Sequence, residues 1–299
     1  MSDIPMRGLG RTGLEVTVLG FGAMELRGGR GRDVTPEGAK AVLNGVLDSG
    51  INYIDTSIDY GMSEQLIGEY ISDRRDEYFL ASKCGCLAGE LKLAPGERAP
   101  HVFTRENVRA GVEQSLRRLR TDYLDLVQVH MSPSREEMER GEVVETLLDL
   151  QREGKVRHLG ASSTLPNIVD HVEMDAFSVF QIPYSGLQRE HEAVISDVAK
   201  AGAGTVIRGG VAKGEPGPGR GAEDRWSLVE KGDLDDLLDG GSRTEFMLRF
   251  TITHPDLSTT IVGTLNPVHL AENVAAVRKG PLSPEVYDEV KRRLAAATS

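Results

Sequence analysis

The stretch Leu124-Asp125-Leu126-Val127-Gln128-Val129-His130 is mostly apolar, does not alternate strictly, and is too short for a typical globular helix. A strand with one wet face alternates, so a run that is apolar on both faces belongs in a sheet covered by helices. Further out, runs of the same kind occur at 16–23, 53–57, 78–83, 158–163, 177–182, 205–209 and 260–263, which with 124–130 makes eight strands. Amphipathic segments separate them. Thr35-Pro36-Glu37 opens one whose Ala39, Val42, Leu43, Val46 and Leu47 share a face, and it ends at Gly50. Thr104 opens another, with Val108, Val112, Leu116 and Leu119 on its apolar side and a stop near Thr121. Further helices are expected at 63–73, 136–153, 165–173, 190–201, 243–253 and 267–278. Eight repeats of strand then helix favour a closed barrel over an open sheet. The expected fold is therefore α/β, a (β/α)8 TIM barrel, forming one domain over residues 1–299.

The residues before Val16 carry Gly8, Gly10 and Gly13 and read as an N-terminal hairpin plugging the barrel bottom. At the other end, 283–297 reads as a C-terminal extra helix, with Ser283 as N-cap and Glu285 in the first turn. The segment 209–241, rich in Gly and Pro, follows the seventh strand and reads as a long functional loop. Its Trp226 is either a lid over the site or the loop's own small core.

Of the 299 residues 39% are hydrophobic and 27% charged, and no apolar run is long enough to cross a bilayer. The opening residues show no apolar signal core, so a soluble, cytoplasmic protein is expected. A net charge of -11 disfavours nucleic acid and anionic lipid as partners, and no Lys/Arg run reverses that. A phosphate-bearing cofactor then needs a local basic or helix-N-terminal site. Cys84 and Cys86 are the only cysteines; they are too close for an ordinary disulfide and too few for a closed zinc site. His101, His158, His171, His191 and His254 are scattered without ligand spacing, so no metal is expected. Gly8-Leu9-Gly10-Arg11-Thr12-Gly13 matches G-x-G-x-x-G but precedes the first strand, and a glycine hairpin accounts for it better than a dinucleotide fingerprint.

The strand ends carry the chemistry. Asp55 closes the second strand, Lys83 the third and His130 the fourth; Ser162 and Ser163 close the fifth, Gln181 the sixth and Arg208 the seventh. In a barrel these ends converge on the C-terminal face, where active sites of this fold lie. Singly, each has a bland reading as a turn cap, a snorkelling lysine or a satisfied core histidine. Together, three ionisable residues on adjacent strands would be a desolvation cost without a purpose.

Gly50-Ile51-Asn52-Tyr53-Ile54-Asp55-Thr56-Ser57-Ile58-Asp59-Tyr60-Gly61-Met62-Ser63-Glu64 resembles the G-x-N-x-x-D-T-A-x-x-Y-G-x-S-E signature of the aldo-keto reductase superfamily. Blocks at 81–83, 125–130, 156–163, 180–189 and 261–274 follow family blocks in the same order. The resemblance implies a catalytic group of Asp55, Tyr60, Lys83 and His130. Tyr60 would protonate the carbonyl oxygen as hydride arrives, Lys83 would pull the phenol toward its ionised form, Asp55 would keep Lys83 charged, and His130 would orient the carbonyl.

The resemblance also implies an NADP(H) site, with NAD(H) as a possible substitute. Gly22, Ala23 and Met24 would lie near the nicotinamide, and Ser162, Ser163 and Gln181 around its carboxamide. Arg208 stands where the family commonly stacks an aromatic. Gly209, Val211, Lys213 and Gly214 would begin the loop over the pyrophosphate. Gly263 and Thr264, at the start of the eighth helix, with His269, Glu272 and Asn273, would hold the adenosine end. His269 and Gly263 replace an Arg and a Lys common in the family, so NADPH preference is expected to be modest and pH-dependent.

The substrate is expected to be a small-molecule carbonyl compound. With the sequence ending at Ser299 soon after the last helix, an open pocket of broad specificity is expected. Two rival readings stay open: the resemblance also extends to cofactor-binding subunits that sense redox state on a partner protein, and Lys83 at a strand end would suit a Schiff-base aldolase with that lysine as nucleophile.

Overall fold

Eight parallel strands close into a barrel in the computed structural model, which describes residues 3–28, 33–89, 99–215 and 223–298. An antiparallel hairpin, β1 (Met6–Gly8) and β2 (Glu15–Thr17), comes first. The barrel strands are β3 (Leu19–Gly22), β4 (Tyr53–Asp55), β5 (Phe79–Cys84), β6 (Leu124–Val129), β7 (Val156–Ser162), β8 (Val179–Pro183), β9 (Gly204–Arg208) and β10 (Thr259–Val262). They neighbour one another in chain order, and β10 closes the ring by pairing with both β9 and β3.

The outer layer holds α1 (Pro36–Asp48), α2 (Ser63–Tyr70), α3 (Arg105–Leu119), α4 (Arg135–Arg140), α5 (Val143–Arg152), α6 (Ile168–Glu173), α7 (Glu192–Lys200), α8 (Glu223–Lys231), α9 (Arg243–Thr253), α10 (Pro267–Arg278) and α11 (Pro284–Ala297). The expected caps are present: Thr35 accepts from the Gly38 amide at 3.1 Å, Thr104 from Asn107 at 3.4 Å and Ser283 from Val286 at 3.3 Å. No helix among the described residues is long and apolar enough to cross a membrane.

The hairpin plugs the barrel floor. Leu9 and Val16 pack with Tyr53, Ala81, Leu126, Val179 and Val206 in a cluster of inward-facing side chains. Arg7 ties the hairpin down by donating to the carbonyls of Ile252, His254 and Leu257 at 2.8–3.1 Å. Because strand side chains repeat every two residues, the inner position above each floor residue is fixed. Above Tyr53, Ala81, Leu126, Val179 and Val206 stand Asp55, Lys83, Gln128, Gln181 and Arg208. An apolar floor thus carries a polar layer.

Three sequence expectations need correction. The run 16–23 is two strands, one in the hairpin and one in the barrel, with the chain turning where the Thr17 hydroxyl donates to the Leu19 carbonyl at 2.8 Å. The helix expected at 136–153 breaks into α4 and α5 at Gly141-Glu142, Glu142 taking a left-handed φ of 49°. The 209–241 segment is not irregular throughout, because it contains α8 and a 3-10 turn at Asp235–Leu237; residues 216–222 lie outside those described. Within it Trp226 is buried, and its indole N–H points to the Ala212 carbonyl at 3.3 Å, so it is the segment's own core and not a lid.

Candidate active site

Lys83 and Asp55 form the centre. Their neighbouring strands pair in register with Asp55 beside Ala81, and both side chains point inward. Lys83 Nζ lies 2.5 Å from Asp55 Oδ1 and donates to the Thr56 carbonyl at 2.8 Å. Asp55 Oδ2 accepts from two amides, Gln128 Nε2 at 2.7 Å and Gln181 Nε2 at 2.8 Å. The carboxylate is therefore satisfied on both oxygens, which a buried ion pair needs if its attraction is to offset desolvation.

Tyr60 sits on the turn after β4, with the Lys83 ammonium 4.8 Å from its ring centre and the His130 ring 6.4 Å away, edge-on at 80°. Burial pushes the Tyr60 phenol above its ordinary value. The Lys83 charge pulls the other way, as the sequence implied, without reversing the net direction. Burial alone would lower Lys83, but Asp55, with Tyr60 and Asp59, outweighs it and the ammonium is held above its usual range. His130 is pushed down to about 3, first by burial and then by Lys83, so its imidazole is neutral at pH 7. A neutral imidazole can donate from one nitrogen and accept at the other. Its Nδ1 faces Cys86 Sγ at 3.1 Å.

The residues assigned to the cofactor lie along the same rim. Gly22 pairs with Asp55, and Ala23 and Met24 begin a 3-10 turn. β10 closing against β3 brings Gly263 to Gly22 so tightly that a Cβ on Gly263 would fall 2.4 Å from the Gly22 carbonyl oxygen. Ser162 Oγ meets Gln181 Oε1 at 3.2 Å. Ser163 is fully buried, and its hydroxyl is engaged by Ser132 at 2.8 Å, a partner that spacing could not identify.

After Arg208 the chain turns tightly: Gly209, Ala212, Lys213 and Gly214 all have left-handed φ, and Val211 packs on the core. The side chains of Arg208 and Lys213 are exposed and make no hydrogen bond or ion pair with any described residue. In an acidic protein, two cations beside one strand end with no partner among the described residues suit a phosphate-bearing group.

On the far side of β10, the Thr264 hydroxyl accepts from the Asn266 amide at 3.0 Å, and Asn266 caps α10. His269 and Glu272 are exposed and Asn273 half-buried, one helical turn apart on α10. Sequence reasoning missed Gln128, whose signal was a polar residue inside an apolar strand. It also missed Cys86, which nothing in the spacing tied to His130.

The chain and its fold are similar to those of known proteins. Aldo-keto reductase AKR11C1 from Bacillus halodurans, in its holo form, superposes with a TM-score of 0.84 at 29% identity, covering 97% of this chain and 96% of its own. The uncharacterized oxidoreductase YqkF of Bacillus subtilis is 27% identical, with 93% of each chain covered. A putative voltage-gated potassium channel subunit beta of Schizosaccharomyces pombe is 27% identical over 96% of this chain and 92% of its own. The sequence pattern of the Aldo/keto reductase family matches residues 18–216, the part that holds β3 to β9 and every strand-end polar residue described above. By that match the chain belongs to the aldo/keto reductase family, oxidoreductases of carbonyl compounds that use nicotinamide cofactors.

Proposed function

We propose that this protein reduces aldehydes or ketones to alcohols, preferring NADPH and accepting NADH, with Tyr60 as the proton donor. The observation that carries the reading is the buried Lys83–Asp55 pair beneath the Tyr60 ring. When bound, the cofactor supplies a hydride to the carbonyl carbon. Tyr60 gives its proton to the carbonyl oxygen as negative charge builds there, and Lys83 stabilises the phenolate left behind. Asp55 holds Lys83 charged in a site that would otherwise neutralise it. Neutral His130, with Nδ1 turned to Cys86, offers Nε2 to the substrate oxygen and orients it.

Gly22, Ala23, Met24, Ser162, Ser163 and Gln181 border the nicotinamide end in this reading. Arg208, Gly209, Val211, Lys213 and Gly214 take the pyrophosphate, Gly263, Thr264 and His269 meet the adenosine 2′-phosphate, and Glu272 and Asn273 hold the adenine amino group. Arg208 and Lys213, which pair with no other side chain among the described residues, support it. The raised Lys83 value argues against the aldolase alternative, which needs a neutral amine. A panel of aldehydes and ketones, followed by NADPH absorbance, tests the reading. No turnover of any member would overturn it.

The likeness to the channel subunit of S. pombe favours a second reading, a redox-sensing subunit with the same site. A stable complex with a partner protein, together with cofactor binding but negligible turnover, would identify it.

A further inference from the structure

Asp59, Cys86, His101 and His130 come from four separate segments: the turn after β4, the loop leaving β5, the return of that loop, and the end of β6. One ligand atom from each lies within 4.8 Å of all the others. Cys86 Sγ is 3.1 Å from His130 Nδ1, and that nitrogen is 4.0 Å from Asp59 Oδ1. We infer that these four side chains form a site for a borderline-soft divalent cation of the zinc class.

The backbone holds the donors in place without a metal. Cys86 and His101 face each other across an isolated antiparallel bridge. The Val102 amide donates to the Gly85 carbonyl at 2.7 Å, and the Leu87 amide to the Pro100 carbonyl at 2.9 Å. Asn107 Nδ2 reaches the carbonyls of both Cys86 and Val102, at 3.1 and 2.8 Å. Gly85, at φ 92°, is the residue that lets the chain pass under Phe103, since a Cβ there would fall 2.2 Å from the ring. The Phe103 ring in turn stacks on His101 at 27°.

Two features suit a cluster that binds an ion. His101 Nε2 is buried with no hydrogen-bond partner among the described residues, which leaves an imidazole nitrogen of the cluster to be satisfied. Asp59 accepts from the Ser57 hydroxyl, and the only basic side chain within ion-pair distance among the described residues is His130, another member of the cluster, at 4.0 Å.

The donor set fits the ion. One thiolate, two imidazoles and one carboxylate are zinc ligands, whereas a single carboxylate among soft donors is a poor site for calcium or magnesium. Zinc bonds of ~2.0–2.3 Å put neighbouring ligand atoms roughly 3.3–3.8 Å apart, so the widest pair closes by about 1 Å on binding. On binding, Cys86 loses its S–H proton to solvent and a metal–sulfur bond forms. The thiolate and Asp59 then balance the two positive charges. A cleft of about 260 Å³ lined by His101, Phe103, Thr104 and Glu137 adjoins the cluster at His101.

All four positions are protein ligands, so the ion does not touch substrate. By occupying His130 Nδ1 it leaves the proton on Nε2, the tautomer that donates toward the carbonyl site.

Chelator-treated, reduced protein titrated with Co²⁺ tests this directly. The expected result is saturation at one equivalent, with the charge-transfer absorption of a cobalt–thiolate bond and the intense visible bands of four-coordinate cobalt, both removed by Zn²⁺. Cys86→Ser should lose the charge-transfer band, and His101→Gln should weaken binding by at least ~10-fold. His101 is half-exposed, so the second variant stands if the first does not fold. No saturable absorption, a band that survives in Cys86→Ser, or unchanged affinity in His101→Gln would overturn the inference. The measurement reads the metal and needs no turnover, so it is independent of whether the protein reduces carbonyls.

Discussion

Lys83 Nζ and Asp55 Oδ1 stand 2.5 Å apart in the barrel interior, the lysine side chain fully buried and the aspartate 2% exposed. Removing one partner of such a pair strands the other in low dielectric, at a cost of about 3–5 kcal/mol. Lys83→Met is therefore expected to lower both activity and the urea midpoint. Lys83→Met combined with Asp55→Asn should recover much of the stability and none of the activity. A double variant no more stable than the single one would show that the pair is not coupled.

Tyr60→Phe keeps the ring over Lys83 and removes only the proton donor. The expected loss in kcat is ~10²–10⁴, the usual worth of general acid catalysis, with the NADPH dissociation constant nearly unchanged. Activity close to that of the unmodified protein would remove Tyr60 from the mechanism.

Two neighbouring glycines should respond differently to alanine. At Gly263 the new Cβ would fall 2.4 Å from the Gly22 oxygen, whereas at Gly22 its nearest contact is an ordinary 3.7 Å from the Gly263 nitrogen. Gly263→Ala is expected to cost about 1–3 kcal/mol of stability and Gly22→Ala clearly less. Thermal unfolding of the two variants reads the difference, and equal midpoints would contradict it.

The choice between cofactors can be shifted at His269, which is exposed on α10. An arginine there would offer a fixed, forked charge to a 2′-phosphate, so His269→Arg should raise the ratio of kcat/KM for NADPH over NADH by roughly 10-fold. An unchanged ratio would show that this helix position does not meet the phosphate.

His171, fully buried, gives the protein an acid-sensitive component. Burial lowers its pKa, partly opposed by its hydrogen bond to the Pro133 carbonyl at 2.8 Å and by Asp170, while Arg135 adds to the lowering. A histidine depressed in the folded state is neutral in both states above its unfolded value of ~6.5, and there its contribution to stability is complete. As pH falls below that value the unfolded chain takes up the proton first, and stability is lost. Urea midpoints measured from pH 7.5 down to 5 should fall, and His171→Gln should fall less steeply. Parallel slopes would mean that His171 is not one of the groups responsible.

How much of this was legible beforehand differs from residue to residue. The strand-end positions of Asp55, Lys83, His130 and Gln181 could be read from the sequence, since each is a polar residue at or beside the end of a short, mostly apolar run. The split of 16–23 into two strands could not, because both pieces are apolar and the turn rests on Thr17 bonding to residues around it. Nor could the break at Glu142, where a non-glycine residue takes a left-handed conformation that no local signal demands. Trp226 stayed ambiguous because a lone tryptophan in a polar segment has no periodicity to read.

The sequence by itself determined the β/α alternation, the helix caps and the polar ends of the strands. Those depend on hydrophobic period and local hydrogen bonding, which act within a few residues. Only the tertiary structure decided the rest. Barrel closure set Gly263 against Gly22, and the inward layer brought Gln128 and Gln181 to the same carboxylate oxygen. It placed Cys86 and His101 against His130, and burial outweighed Lys83 in setting the direction of the Tyr60 shift. Each of these is a through-space sum over residues far apart in the chain, and no local pattern carries it.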